Sequence, residues 1–181
     1  MSDLPTRDEA LRLLHEHTTG AGLRRHAYAV EAAMRAHARR LGEEEDAFGL
    51  VGLLHDFDYE HWPSLEDHPF RGSEILAERG YPDWFRRAIL SHGDHTGVPR
   101  ETPLEKCLFA VDELCGFVTA CALVLPSKSI RDLKVESVRK RMKDKAFARS
   151  VKREDITSGA EALGMDLDAH IGFVIDALAE V

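Results

Sequence analysis

The run Leu53-Leu54-His55-Asp56-Phe57 sets two titratable side chains at the end of an apolar stretch. Burying such groups is costly unless something charged satisfies them. Read as the end of a helix from about Glu43 to Phe57, the run turns at about 100° per residue. His55 then points with Phe48 and Val51 toward the core, and Asp56 points with Gly49 and Gly52, a thinly covered side open to another helix or a ligand.

Two further groups meet the same test. His26 lies on the stripe Leu23, His26, Val30, Ala33, Met34, His37, Leu41, and Asp112 lies beside Leu108, Val111 and Cys115 in a long apolar helix. Three helices thus each place an imidazole or carboxylate at or beside a buried face, and a cation held between helices explains all of those burial penalties together. Neutral imidazoles with carboxylates suit a divalent ion, with Mn, Fe, Mg, Co, Ni and Zn equally open. His37 shares the stripe, and we read it as a hydrogen-bonded core histidine, the commoner occupant of such a position.

The remaining pattern predicts an all-α chain. Thr6-Arg7-Asp8-Glu9 has capping-box form and opens a helix through about His17. Helices follow from about Leu23 to Leu41, ended by Gly42, from about Pro69 to Arg79, and around Trp84 to Leu90. Thr102-Pro103-Leu104-Glu105 repeats the capping box and starts the helix bearing Asp112, which Pro126-Ser127 ends. A last helix, about Asp168 to Glu180, offers Ile171, Val174, Ile175 and Leu178 as a docking stripe. No sustained period-two alternation or hairpin dipeptide suggests a strand.

With these residues in place, the sequence resembles the HD-domain superfamily of metal-dependent phosphohydrolases, whose pattern of H, then HD, then D corresponds to His26, His55-Asp56 and Asp112. The resemblance runs from about Leu23 to Ile156. It implies a compact multi-helix bundle with the metal site between helices, one domain over residues 1–181 with packing helices at each end. It also implies that Asp56 bridges two ions, with His26, His55 and Asp112 completing the first, and His68 and His92 holding the second. A single ion is the alternative. His95 could replace or assist His92, and His61 could line the same opening; ordinary loop placement is the competing reading for both. The segments Gly52 to Glu60, Phe109 to Leu114 and Lys143 to Arg149 further resemble a group of small, single-domain bacterial HD proteins of the HDIG type, described only as hydrolases.

Composition agrees with a single domain of substantial core. Cys107, Cys115 and Cys121 form an odd set without CxxC spacing, which reads as buried thiols in a reducing compartment. The segment Met1-Ser2-Asp3-Leu4-Pro5 lacks the apolar core of a secretory signal, and no apolar run reaches about eighteen residues. The expectation is a cytoplasmic protein without membrane contact.

Between Lys128 and Arg153 stand eleven Lys/Arg against three acids, a local +8 inside a chain of net charge −8. One reading is a solvated amphipathic helix with Val135, Val138, Met142 and Phe147 turned inward. The other is that Lys128, Arg131 or Lys143 meets substrate phosphate, since an acidic metal site needs cationic help to attract an anion. The acidic chain and the lack of interleaved aromatics speak against a nucleic-acid partner. The sequence leaves the oligomeric state open.

The function implied is hydrolysis of a small phosphoester, a nucleotide or related mono- or diester, by water activated on the metal. Asp58, Glu60 and Glu113 are candidate outer acids or bases for it, although each also reads as a surface acid. Two alternatives use the same residues: a diiron oxygenase, and a non-catalytic nucleotide-binding regulator.

Overall fold

The computed structural model describes residues 4–180, and among them the secondary structure is helical with no strand. The expectation of no leader segment at Met1-Ser2-Asp3 falls outside the described residues. In order, the helices are α1 (Arg7–His17), α2 (Ala21–Leu41), α3 (Glu45–Leu54), α4 (Phe70–Glu78), α5 (Asp83–Leu90), α6 (Pro103–Leu123), α7 (Val135–Met142), α8 (Arg153–Ala162) and α9 (Leu167–Ala179). Short 3-10 turns follow α5 and α6, at Asp94–Thr96 and Ile130–Asp132. No helix among the described residues is long and apolar enough to cross a membrane.

Local chemistry sets the helix ends. Thr6 caps α1 and Glu9 reaches back to the Thr6 N–H, completing the expected box. Gly42 ends α2 in the left-handed region at φ 71°, which its missing Cβ makes inexpensive. Glu105 accepts the N–H groups of Glu101 and Thr102 ahead of α6, while the Thr102 hydroxyl accepts from the Glu105 N–H. One boundary differs from expectation: α3 stops at Leu54, and the apolar run to Phe57 continues as a chain of turns, in which Asp56 O accepts from Tyr59 and Asp58 O from His61 and Trp62.

The chain forms two compact units, the first ending at Leu108 and the second beginning at Phe109, within α6. In the first unit, α2 and α3 pack most closely. Six small residues of α2, Ala27, Ala29, Ala32, Ala33, Ala36 and Ala38, are all buried. Gly52 of α3 allows the approach: a Cβ there would sit 3.0 Å from Val30 O and 2.9 Å from Met34 Cγ. The buried carboxylate of Glu31 accepts from Arg7 Nε and Nη2, at 2.7 and 2.8 Å, and from Arg35 Nε at 3.0 Å, tying α1 to α2. The register of α3 against α2 is therefore fixed by backbone-close packing, and it determines where His55 emerges relative to His26. Fully buried Leu50, Leu53, Leu54 and Phe57 hold that position, each contributing roughly 1.5–3 kcal/mol.

In the second unit, Ile171, Val174, Ile175 and Leu178 of α9 are buried as expected. Gly159 of α8 rests on Ala110 of α6, where a Cβ would fall 2.6 Å from Ala110 Cα. The basic segment is not one amphipathic helix. Only Val135–Met142 is α-helical, with Val138 fully buried and Val135, Met142 and Phe147 half-buried. The turns after it fold around Arg153, whose guanidinium donates to the carbonyls of Asp144, Phe147, Ala148 and Val151 and lies 4.7 Å over the Phe117 ring. All three cysteines are buried and free.

Candidate metal centre

Asp56 stands where α3 gives way to turns, and in the first unit four imidazoles converge on its carboxylate. Oδ2 lies 3.4 Å from His55 Nε2 and 4.0 Å from His26 Nε2, while Oδ1 lies 3.2 Å from His68 Nε2 and 3.4 Å from His92 Nε2. One carboxylate thus faces two separate pairs of ring nitrogens through its two oxygens. His26 comes from α2, His55 from the end of α3, His68 from the residue before Pro69, and His92 from just beyond α5. His55 is fully buried, His68 nearly so, and the side chains of His26 and Asp56 keep about one fifth of their surface, so the centre opens to solvent on one side.

The tautomers follow from what the other ring nitrogens touch. Nδ1 of His55 donates to Gly52 O at 2.7 Å, Nδ1 of His92 to Ile89 O at 2.5 Å, and Nδ1 of His68 to Asp58 Oδ1 at 2.8 Å. A carbonyl or carboxylate oxygen can only accept, so each Nδ1 carries a proton, and in the neutral ring Nε2 is the nitrogen left to bind a cation beside Asp56. Metal-binding histidines are oriented this way, the second nitrogen fixed by an acceptor behind it.

The spacing also fits a cation. His68 Nε2 and His92 Nε2 are 3.3 Å apart, and with Asp56 Oδ1 they form a triangle of edges 3.2, 3.3 and 3.4 Å. An ion bonded at about 2.0–2.1 Å to its donors holds adjacent donors roughly 2.9–3.4 Å apart. His26, His55 and Asp56 offer a second, looser set, with one ligand atom each within 4.8 Å of one another.

Electrostatics point the same way. Burial opposes charge on Asp56, yet His55, His68 and His92 outweigh it and hold the carboxyl well below its usual range. Burial likewise opposes charge on His68, but Asp56 and Asp58 prevail and raise it to about 9. The cluster is a place that favours positive charge.

The structure gives other work to several residues named from sequence. Asp58 does not line the opening as an acid or base. It is buried behind His68, accepting from that ring and, through Oδ2, from the Gly72 N–H at 2.7 Å. A Cβ at Gly72 would meet the Asp58 carboxyl at 2.9 Å, so the glycine makes room for it. Glu60 accepts from Thr19 N, Thr19 Oγ1 and Gly20 N, which ties it to the start of α2 and lowers its pKa. His95 donates Nε2–H to His68 O at 2.8 Å and so supports the turn that carries His68. His61 belongs to an aromatic group with His17 and Trp62, and His37 is buried in α2.

In the second unit, Asp112 and Glu113 are half-buried on α6. Burial and the neighbouring Asp112 raise Glu113 to about 7 against the pull of the Lys152 N–H, which it accepts at 3.2 Å. Lys128, at φ 52° in the turn after α6, and Arg131, in the following 3-10 turn, are exposed. Lys143 is also exposed and lines a groove of about 470 Å³ with Arg139, Lys140, Val135, Glu136 and Asp168. Lys128 and Arg131 do not line it.

A residue the sequence did not single out is Tyr59, whose ring packs edge-to-face on His68 with centroids 5.2 Å apart. Its place in a segment without helical periodicity gave no signal.

A family model described as "HD domain" matches residues 23–116, more than half of the chain and a span that contains every residue of the two imidazole and carboxylate groups. No curated protein matches the chain, and no solved structure does.

Proposed function

The chain belongs to the HD domain family, and from that premise we propose that it hydrolyses a small phosphoester, with a nucleotide or a related mono- or diester as substrate. The observation that carries the reading is the Asp56 carboxylate, with one oxygen toward His26 and His55 and the other toward His68 and His92. We assign His26, His55, Asp56 and Asp112 to one divalent ion, and Asp56, His68 and His92 to a second.

Bound ions supply Lewis acidity, lowering the pKa of water from about 15.7 toward about 7 and polarising a phosphoryl oxygen. The protein's own residues supply the rest. Gly52 O, Ile89 O and Asp58 hold three imidazoles in the ligating tautomer, which removes reorganisation from the reacting state. The partly exposed side of Asp56 and His26 leaves an approach for an anion. Glu113, beside Asp112, is assigned to carry a proton to or from the departing group. Lys128, Arg131 and Lys143 are assigned to the substrate's phosphate.

Elemental analysis followed by a metal-by-phosphoester screen of the purified protein tests the reading. Phosphate release that needs added or resident divalent metal and stops on chelation is the expected result. Asp56→Ala should lose metal while helical circular dichroism persists, because the substitution also removes a carboxylate that burial disfavours. Stoichiometric metal in that variant overturns the site, and no release from any ester with any metal overturns the activity.

A further inference from the structure

We infer that Tyr59 determines specificity at this centre: its ring is a stacking platform that selects phosphoesters whose organic group carries a flat aromatic ring. The inference rests on the reading of the centre as a phosphoester site.

Tyr59 is 40 % exposed, between Phe57 and Asp58, which are buried, and Glu60. Its ring meets the His68 ring at 87° with centroids 5.2 Å apart, so the same imidazole that directs Nε2 at Asp56 carries the tyrosine on its flank. A phosphoryl oxygen on a cation held by His68 and His92, whose Nε2 atoms are 3.3 Å apart, would stand beside the imidazole that the Tyr59 ring flanks.

The backbone around Tyr59 is fixed. Its N–H donates to Asp56 O at 3.0 Å, and the following Glu60 is held by three bonds from Thr19 and Gly20. An exposed aromatic ring on such a backbone loses little freedom when a ligand covers it, and covering it removes apolar surface from water. A flat ring gains most, because offset or edge contact between π-systems adds to the burial. An aliphatic substituent of the same phosphate gains only its smaller contact area.

Two flat rings satisfy this chemistry, one attached directly at phosphorus and one a sugar away, and phosphonates, whose P–C bond resists hydrolysis, distinguish them. Calorimetric titration of the metal-loaded protein would compare phenylphosphonate with methylphosphonate, and the adenosine with the ribose 5′-phosphonate. In at least one pair the ring-bearing member should bind roughly tenfold tighter. That preference should vanish in Tyr59→Ala and persist in Tyr59→Phe. Equal binding within both pairs by the native protein overturns the inference, as does a preference that survives Tyr59→Ala. The activity reading fails separately: a phosphonate preference that depends on Tyr59, in a protein that releases no phosphate, would leave this inference standing and remove the hydrolase.

Discussion

Asp58 holds His68 from behind: Oδ1 accepts the Nδ1–H at 2.8 Å while Oδ2 accepts the Gly72 N–H at 2.7 Å. Both carboxylate oxygens are therefore committed, one to the imidazole and one to the first turn of α4. Orientation passes from a backbone amide through a buried acid to the nitrogen that faces Asp56. The acid has no exposed surface from which to serve as a base.

Asp58→Asn tests this arrangement with almost no change in volume. The amide keeps one acceptor oxygen but must turn an NH2 toward either His68 Nδ1–H or Gly72 N–H, so one donor loses its partner. Metal affinity should fall about 10–100-fold, the range for such supporting groups. Gly72→Ala should act in the same direction, because its Cβ would intrude on the Asp58 carboxyl. Calorimetric metal titration checks both, and native affinity in both variants would return Asp58 to a purely structural role.

His92→Ala separates two ions from one. The triangle of Asp56 Oδ1, His68 Nε2 and His92 Nε2 loses a corner, so the bound metal should drop by about one ion per chain. Turnover should slow at least a hundredfold, on the order of 3 kcal/mol in the barrier. Mass spectrometry under native conditions counts the ions. A full complement with full activity would make the centre mononuclear.

Much of the framework was legible in the sequence because its determinants are local. Thr6 with Glu9 and Thr102 with Glu105 announced two helix starts, Gly42 announced an end, and the stripe on α9 announced a buried face. His55, Asp56 and His26 stood out because polar groups on apolar stripes demand an explanation. The partners of Asp58, Glu60 and His95 were not legible because they are non-local: Gly72, Thr19 and the carbonyl of His68 lie 14, 41 and 27 residues away. No periodicity encodes such pairings. The end of α3 was misplaced for a related reason, since Leu53-Leu54-His55-Asp56-Phe57 is apolar enough to continue a helix, while the observed turns at Asp56 and Asp58 depend on bonds made farther along the chain.

Glu105 predicts a pH dependence of stability apart from the metal centre. Burial opposes its charge, but the N–H groups of Thr102 and Glu101 and the Arg87 guanidinium at 2.9 Å prevail and lower its pKa. A carboxyl depressed in the folded state contributes its full stabilisation above the unfolded pKa, and loses it as pH falls through the folded value. Glu105→Ala should therefore cost about 2 kcal/mol near neutral pH, where two backbone donors lose their acceptor. That corresponds to roughly 4–8 °C in Tm for a domain of this size. Scanning calorimetry of metal-free protein should show the gap between native and variant narrowing in acid. A gap that stays constant down to the acid limb would mean that Glu105 is not ionised in the fold.

The basic segment is tested by salt. If Lys128, Arg131 or Lys143 meets phosphate, its replacement by Ala should raise KM more than it lowers kcat, because a contact to a group already charged exists in the ground and transition states alike. The three stand on different local elements, so the variants need not agree. Lys143 shares its groove with Arg139 and Lys140, although Arg139 is engaged by Asp168 at 3.0 Å. A cation among cations repels its neighbours until an anion arrives, which favours Lys143 for the largest effect. The increase in KM should shrink as salt rises, since screening shortens the reach of exposed charge to about 8 Å near physiological ionic strength. Steady-state kinetics of the single variants at low and high salt decide the matter, and native KM values in all three would leave the segment a solvated face whose cations serve solubility alone.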